Sequence, residues 1–416
     1  MRITHTTLYQ ASQAGLSDLL AEYQTANEEI VSGKRINKLS DDPVGLSRVL
    51  DLRSSLSGLD QMSENIQSAN MWLTGAETAL RSVSDIADNA KVLSISMKNS
   101  VMSSDERKNA AVQVGEMLGQ LLDLANTRVN GQYIFSGTAL DTKAFAFDDP
   151  ANPTTAIYSG NDVEFALKTG KDTRMAVGYS GEDLFDSPSL TVDDTNNKID
   201  FQDDGGSGLG AELTATIPSG SYTRQTLAAA IGTAMTNASA AGVPPNNLTY
   251  TVTYDSATKA YAIQHDGVEV KLLWESGSNA NQSIAPDIGF NAVDIQGNSL
   301  PGDRPADWGI FRTLMDLKQY LAADDDAGLD RSLSRLNTQF DNMNNAVSQI
   351  GYKGVSLDLK ISMIEELNLS YTGQKSDIED ADVIAAVSTL ASKQSAYQAA
   401  LASTAKIMKL SLIDYM

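Results

Sequence analysis

From Leu52 onward, apolar residues recur three and four positions apart: Leu52, Leu56, Leu59, Met62, Ile66, Ala69, Leu73, Ala76, Leu80, Val83 and Ala87. No proline interrupts them, and Asp42-Pro43 supplies an N-cap and a first helical position. The period predicts one helix over about residues 43–100, roughly 85 Å long at 1.5 Å per residue, a rod beyond the usual globular helix. A second amphipathic helix is expected over about 104–130 with Val114, Met117, Leu121 and Leu124, broken by Asn130-Gly131. Short β-prone runs between Ser-Gly, Gly-Asn and Thr-Gly turns then predict a few hairpins up to residue 186.

Between residues 187 and 299 the helical period disappears except at "YTRQTLAAAIGTAMTNASAAG". Strand-like runs flank it, "AELTATIPSG", "LTYTVTYDS" and "AYAIQHDGVEVKLLW", so an inserted α+β domain is expected. Helical patterning resumes over 306–323. A heptad stripe follows, Leu329, Leu333, Leu336, Phe340, Met343, Val347 and Ile350, continued by Leu357, Ile361 and Ile364. Gly373, with Ser376 three residues before Glu379 as a capping box, predicts a break there. The last helix carries Val383, Val387, Leu390, Gln394, Tyr397, Leu401, Thr404 and Met408, with Leu412 beyond; Leu16, Leu20, Tyr23 and Ile30 make a matching stripe near the other end. The organisation is mirrored about the insert. Each terminal helix alone would keep an apolar face wet, which predicts pairing with the other and with further subunits.

Composition narrows the function. Net charge is −22 without a basic cluster, which disfavours nucleic acid and anionic membrane as partners. Cysteine is absent, so disulfides, thiolate metal sites and thiol catalysis are excluded. The first twenty residues lack the pattern of a cleaved Sec-type signal, and no run approaches the roughly 18 apolar residues of a membrane span. His5 and His265 are the only histidines and fall in different expected domains, so neither a His-based metal cage nor a Ser/His/Asp triad is expected. "GGSGLG" at 205–210 lacks the spacing of a dinucleotide loop and reads as a turn. The acidic runs "SDDP" and "AADDDAG" lack EF-hand spacing and read as helix caps and a solvated turn. In "NGQYIFSGT" a helix stop and a strand are expected, with Tyr133 and Phe135 on one face and Ile134 on the other.

Three separated motifs, "SGKRINKLSDDP", "LANTRVNGQYIFSGT" and "SDIEDADVIAAVSTLASKQSAYQAALASTAKIMKLSLIDYM", occur in the order of the flagellin superfamily, which this chain resembles over about residues 1–186 and 300–416. "MRIT", "GQYIFSG" and "SLIDYM" are most similar to its hook-filament junction branch, and the insert resembles a module recurring in flagellar axial proteins. The implied fold is mainly α: a flagellin-like rod of long antiparallel helices with a small β-hairpin region, plus the inserted α+β domain. The implied domains are terminal assembly helices at 1–40 with 378–416, disordered in the monomer; a helical rod with β-hairpins at 41–186 with 300–377; and the insert at 187–299. The resemblance implies a non-enzymatic adaptor with no cofactor and no metal. Such an adaptor is exported unfolded through the flagellar type III channel with a cytoplasmic chaperone, and assembles outside the cell as a ring. Its partners would be a neighbouring hook-associated junction protein, flagellin on the filament side and copies of itself. The assembly interface is expected at Leu16, Leu20, Tyr23, Ile30, Val383, Val387, Leu390, Tyr397, Leu401, Met408 and Leu412. A self-polymerising flagellin and a cytoplasmic coiled-coil scaffold are the alternatives.

Overall fold

The computed structural model describes residues 5–99, 102–170, 172–243 and 245–413. Its helices are α1 (His5–Ser32), α2 (Pro43–Met97), α3 (Ser104–Ala125), α4 (Gly181–Phe185), α5 (Arg224–Ala241), α6 (Ile310–Ala323), α7 (Asp326–Glu379) and α8 (Val383–Ile413). The fold is mainly α, with a β-rich segment between α3 and α6. Two compact units divide the chain, Met1–Ile66 with Asp358–Met416 and Gln67–Leu357, the boundary falling inside α2 and inside α7.

Within Gln67–Leu357 the heptad pattern is realised as burial. Ala69, Leu73, Ala76, Leu80, Val83, Ala87 and Ala90 of α2 are buried, stepping alternately four and three. On α7 every seventh residue, Leu329, Leu336, Met343, Ile350 and Leu357, is buried, while the intervening Leu333, Phe340 and Val347 are half-buried. Ser84 Oγ lies 3.4 Å from Asn344 Oδ1, and Lys98 pairs with Asp330. As one residue number rises the other falls, so the two helices run antiparallel with apolar seams facing.

α3 starts at a capping box: Glu106 N donates to Ser103 Oγ at 3.3 Å and Ser103 N to Glu106 Oε2 at 2.7 Å. It packs on α6 and ends at Ala125, earlier than the expected residue 130. The cause is tertiary. Asn126 Nδ2 donates to the Leu122 and Phe145 carbonyls, and Phe145 N donates back to Asn126 Oδ1, so this side chain stops the helix and fixes the next segment. Arg128–Val129 (β1) and Gln132–Tyr133 (β2) then form a hairpin whose turn residues, Asn130 and Gly131, have φ of 52° and 82°. Positive φ at both central positions is the requirement that Asn-Gly satisfies.

Two more hairpins follow, Phe145–Phe147 (β3) with Ala156–Tyr158 (β4), and Ala166–Lys168 (β5) with Arg174–Ala176 (β6). The expected alternation in "QYIFSG" is not seen. Tyr133, Ile134 and Phe135 are all buried, because strand β2 ends at Tyr133 and the chain turns into a core of Phe135, Phe145, Phe185 and Phe311. Gly137 (φ 65°) lies against Asn161, whose carbonyl oxygen would stand 2.2 Å from a Cβ, so no other residue fits there.

The insert holds Ser189–Val192 (β7), Lys198–Asp204 (β8), Leu213–Thr216 (β9), Gly220–Thr223 (β10), α5, Tyr250–Asp255 (β11), Ala260–His265 (β12), Glu269–Leu272 (β13), Ile295–Gly297 (β14) and Ser299–Pro301 (β15). The helix and strands expected from the sequence are present. The sheets run β14-β13-β8-β9 and β11-β12-β15, with β7 pairing β10, and every pairing between these strands is antiparallel. One core of Phe201, Leu227, Ile231, Tyr261, Ile263, Val270 and Trp274 joins helix and sheets, and it extends along the chain to Ala306 and Trp308. Among the described residues no helix is long and apolar enough to cross a membrane.

Candidate assembly site on helices α1 and α8

In the unit Met1–Ile66 with Asp358–Met416, α1 packs along α8. The pairing is antiparallel: Lys393 Nζ bonds Glu22 Oε2 at 2.6 Å, and Ala381 N donates to Gly33 O at 3.0 Å. Among the described residues of the pair, Ala26 and Ala386 are the buried ones, small side chains that let the two backbones come close. Leu16, Tyr23, Ile30, Leu390 and Tyr397 are half-buried. Leu20 is 38% exposed, Val383 53%, Val387 50% and Leu401 42%, with Val31 at 78% and Ile384 at 85% beside them. The side chains of Met408 and Leu412, and of His5, lie outside the described residues. Each helix therefore covers part of the other's stripe and leaves the remainder in water.

The segment between α1 and α2 closes this unit. Gly33 turns the chain at φ 68°. Arg35 N donates to Glu379 O at 2.7 Å, and the Arg35 guanidinium donates to Ile378 O at 2.7 Å, capping carbonyls at the end of α7 that have no helical partner. The Glu379 side chain, 3% exposed, accepts from Lys34 Nζ and from Arg53 Nη2, both at 2.5 Å. Burial raises its pKa, but the hydrogen bonds and charges of Lys34 and Arg53 outweigh that and hold the carboxyl below its usual range. Asn37 N and Lys38 N both donate to Asp41 Oδ2, at 3.0 and 2.8 Å, fixing the turn. Asp42 caps α2 through Gly45 N at 2.8 Å, with Pro43 as the first helical residue, as expected. A Cβ on Gly45 would meet Asp42 Oδ2 at 2.4 Å and Ile36 Cδ1 at 2.7 Å, and Ile36 is buried. "SGKRINKLSDDP" is thus a clamp on the end of α7.

The break after α7 falls at residues 380–382 and not at Gly373. Nothing packs near Gly373, and one glycine costs a helix only about 1 kcal/mol, which a long packed helix tolerates. Ser376 lies inside α7 and bonds Asp380, so it is no N-cap. Asp382 takes that role for α8, accepting from Ile384 N and Ala385 N at 3.0 and 3.1 Å. Lys34, Arg35, Arg53 and Glu379 were invisible as a group in the sequence, since Glu379 lies 326 positions beyond Arg53 and 345 beyond Lys34.

Other candidate chemistry resolves into structure. In "GGSGLG" the amides of Gly206, Ser207 and Gly208 all donate to Asp204 Oδ1, at 2.6, 2.8 and 2.8 Å, so the chain's own carboxylate fills the position a phosphate would take. In "AADDDAG" Asp324 ends α6 in the left-handed region, Asp325 accepts from Gly328 N at 2.9 Å, and Asp324 and Asp326 pair with Arg107 at 2.7 and 2.8 Å. His265 accepts from Gly267 N at 3.2 Å and lies 3.2 Å from Gly297 O. Among the described residues no group of three or more His, Asp or Glu could hold a metal.

Residues 3–139 match the family of the bacterial flagellin N-terminal helical region. The N-terminal third is flagellin-like. Flagellar hook-associated protein 3 of Escherichia coli K12 is 28% identical over 188 residues, 45% of this chain and 57% of that protein. The flagellar filament 33 kDa core protein of Treponema phagedenis is 26% identical over 197 residues, 47% of this chain and 67% of that protein. The chain thus spans little more than half the length of the hook-associated relative. Solved structures of FlgL from Xanthomonas campestris (18% identity, 78% of this chain and 99% of that one, TM-score 0.48) and of the flagellar junction protein FlgL from Legionella pneumophila (17%, 81% and 100%, TM-score 0.45) also align. The resemblance to the flagellin superfamily, and within it to hook-associated protein 3, is borne out.

Proposed function

We propose that the protein is a structural adaptor of the bacterial flagellum, joining the hook region to the flagellin filament, with no catalytic role. The observation that carries this reading is the clamp: the first signature motif grips the end of α7 through Glu379, so that α1 and α8 leave it paired and with Leu20, Val383, Ile384, Val387 and Leu401 in water. Exposed apolar side chains on two paired helices suit burial against other subunits. In this reading residues 1–40 with 378–416 form the assembly region, 41–186 with 300–377 the helical rod with its β-hairpins, and 187–299 the inserted α+β domain. Leu16, Leu20, Tyr23, Ile30, Val383, Val387, Leu390, Tyr397, Leu401, Met408 and Leu412 are the residues assigned to assembly. The protein leaves the cell by the flagellar export route with a chaperone, forms a ring with copies of itself, and sits between a hook-associated neighbour and flagellin.

A second reading, a self-polymerising flagellin, is favoured by the match to the Treponema filament protein, which covers a larger share of that relative. Sedimentation after seeding with sheared filaments separates the two. An adaptor stays in the supernatant or adds only to seed ends, whereas long homopolymers in the pellet refute the adaptor.

A further inference from the structure

One side of α7 seats the inserted domain. Arg331, Ser334, Arg335, Gln339 and Asn342 fall at helical spacing along that side. Arg331 Nη1 donates to Asn281 O at 2.8 Å, Ser334 Oγ to Asp193 Oδ2 at 2.9 Å, Gln339 Nε2 to the Trp308 carbonyl at 2.7 Å and Asn342 Nδ2 to Ser187 Oγ at 3.2 Å. At the centre Arg335 pairs with Asp287 of the insert and, through Nη1 at 2.6 Å, with Asp316 of α6. The other carboxylate oxygen of Asp287 accepts from Asn196 Nδ2 at 3.0 Å, and its carbonyl accepts from Trp308 Nε1 at 2.7 Å. These groups are shut off from solvent: Arg335 is 6% exposed, Gln339 1% and Asp287 0%. Buried charges persist only where hydrogen bonds satisfy them, so every donor and acceptor of such a seat needs a partner.

Three atoms of the seat are left over. Arg331 Nε, Arg335 Nε and Gln339 Oε1 are buried and have no hydrogen-bond partner among the described residues. The three side chains that carry them line one small cavity between α7 and the insert, walled on the insert side by Ser189, Leu190 and Thr191 of β7, Asn196 and Trp308. Its volume is about 10 Å³, at the lower limit of the room that one water molecule needs. A buried water also needs two to four polar partners, and three side chains with an unmatched polar atom surround this one cavity.

The atoms select the occupant. The Gln339 amide is oriented by its bond to Trp308, because the reversed amide would set two oxygens against each other. The atom left over on Gln339 is therefore an acceptor, whereas the two Arg Nε–H groups are donors. A chloride would accept from the guanidinium groups but be repelled by the Gln339 oxygen. A cation would suit that oxygen but face two guanidinium charges. Only a neutral group that both donates and accepts serves all three, and at this volume that group is water. We propose that the cavity is a binding site for one structural water, which donates to Gln339 Oε1, accepts from the Nε–H groups of Arg331 and Arg335, and so completes the polar seat of the inserted domain on α7.

A crystal structure of the full chain at a resolution that shows ordered waters tests the site directly. The expected result is a peak within about 3.2 Å of Gln339 Oε1 and of at least one of the two Arg Nε atoms. A cavity without density overturns the proposal, as do side chains rearranged so that these atoms pair with the protein itself. A peak that gives an anomalous signal after a bromide soak also overturns it, because the occupant is then a halide. In solution, magnetic relaxation dispersion of the water oxygen nuclei counts the waters held for longer than the molecule takes to tumble. Gln339→Met keeps the length of the side chain and removes the acceptor, so the variant should hold one long-lived water fewer than the wild type. An unchanged count overturns the site. Should the variant not fold, the density in the wild-type crystal decides alone.

Discussion

Glu379→Ala strips the clamp of its anion while leaving the Glu379 carbonyl free to accept from Arg35 N and Ile36 N. Two charge-assisted hydrogen bonds disappear, each worth about 1.5–3 kcal/mol where both partners are buried. Here only Glu379 is buried; Lys34 and Arg53 are 40% and 48% exposed and regain water when released. The discount for that exposure brings the net loss to about 2 kcal/mol, or roughly thirtyfold in the population of the open clamp. Hydrogen exchange at residues 33–42 and 376–382 reads this opening directly, because local unfolding sets the exchange of these amides. The acceleration should stay within the unit Met1–Ile66 with Asp358–Met416. A change below about threefold, or one spread equally through residues 67–357, would refute the assignment of Glu379 as the clamp's anchor.

The same carboxyl sets a pH dependence. Its pKa is depressed in the folded state, so its contribution is present above the unfolded carboxylate value and is lost as pH falls through the folded one. Exchange in the clamp should therefore accelerate in acid, and Glu379→Ala should remove that acid limb.

Gly45→Ala has no room beside Asp42 and Ile36 and should cost about 1–3 kcal/mol, seen as a lowered midpoint in thermal circular dichroism. Leu336→Ala opens a cavity at a fully buried heptad position and should cost about 2–5 kcal/mol by denaturant titration, whereas Gly373→Ala, with nothing within reach of its Cβ, should stabilise by about 0.5–1 kcal/mol. Leu401→Asp places a charge on a 42% exposed position, so monomer stability should move by no more than about 0.5 kcal/mol while incorporation into filaments in a motility assay is lost.

The long helices were legible because period is a local property. Ala69 to Ala90 and Leu329 to Leu357 repeat on one face regardless of what they pack against, and the structure buries those faces. The strands and helix of the insert were legible for the same reason, being bounded by turn residues. Helix ends were less so, because they are decided by single tertiary contacts. Asn126 stops α3 by bonding Phe145, nineteen positions ahead, and Asp382 rather than Gly373 starts a new helix because Glu379 still has partners to meet. The "NG" at 130–131 ends helical periodicity, but its stronger signal is the hairpin turn that it forms. Of the assembly stripe, the sequence could place Val383, Val387 and Leu401 on one apolar pattern, but how much of each stays exposed depends on Ala26 and Ala386, whose small size carries no periodic signal.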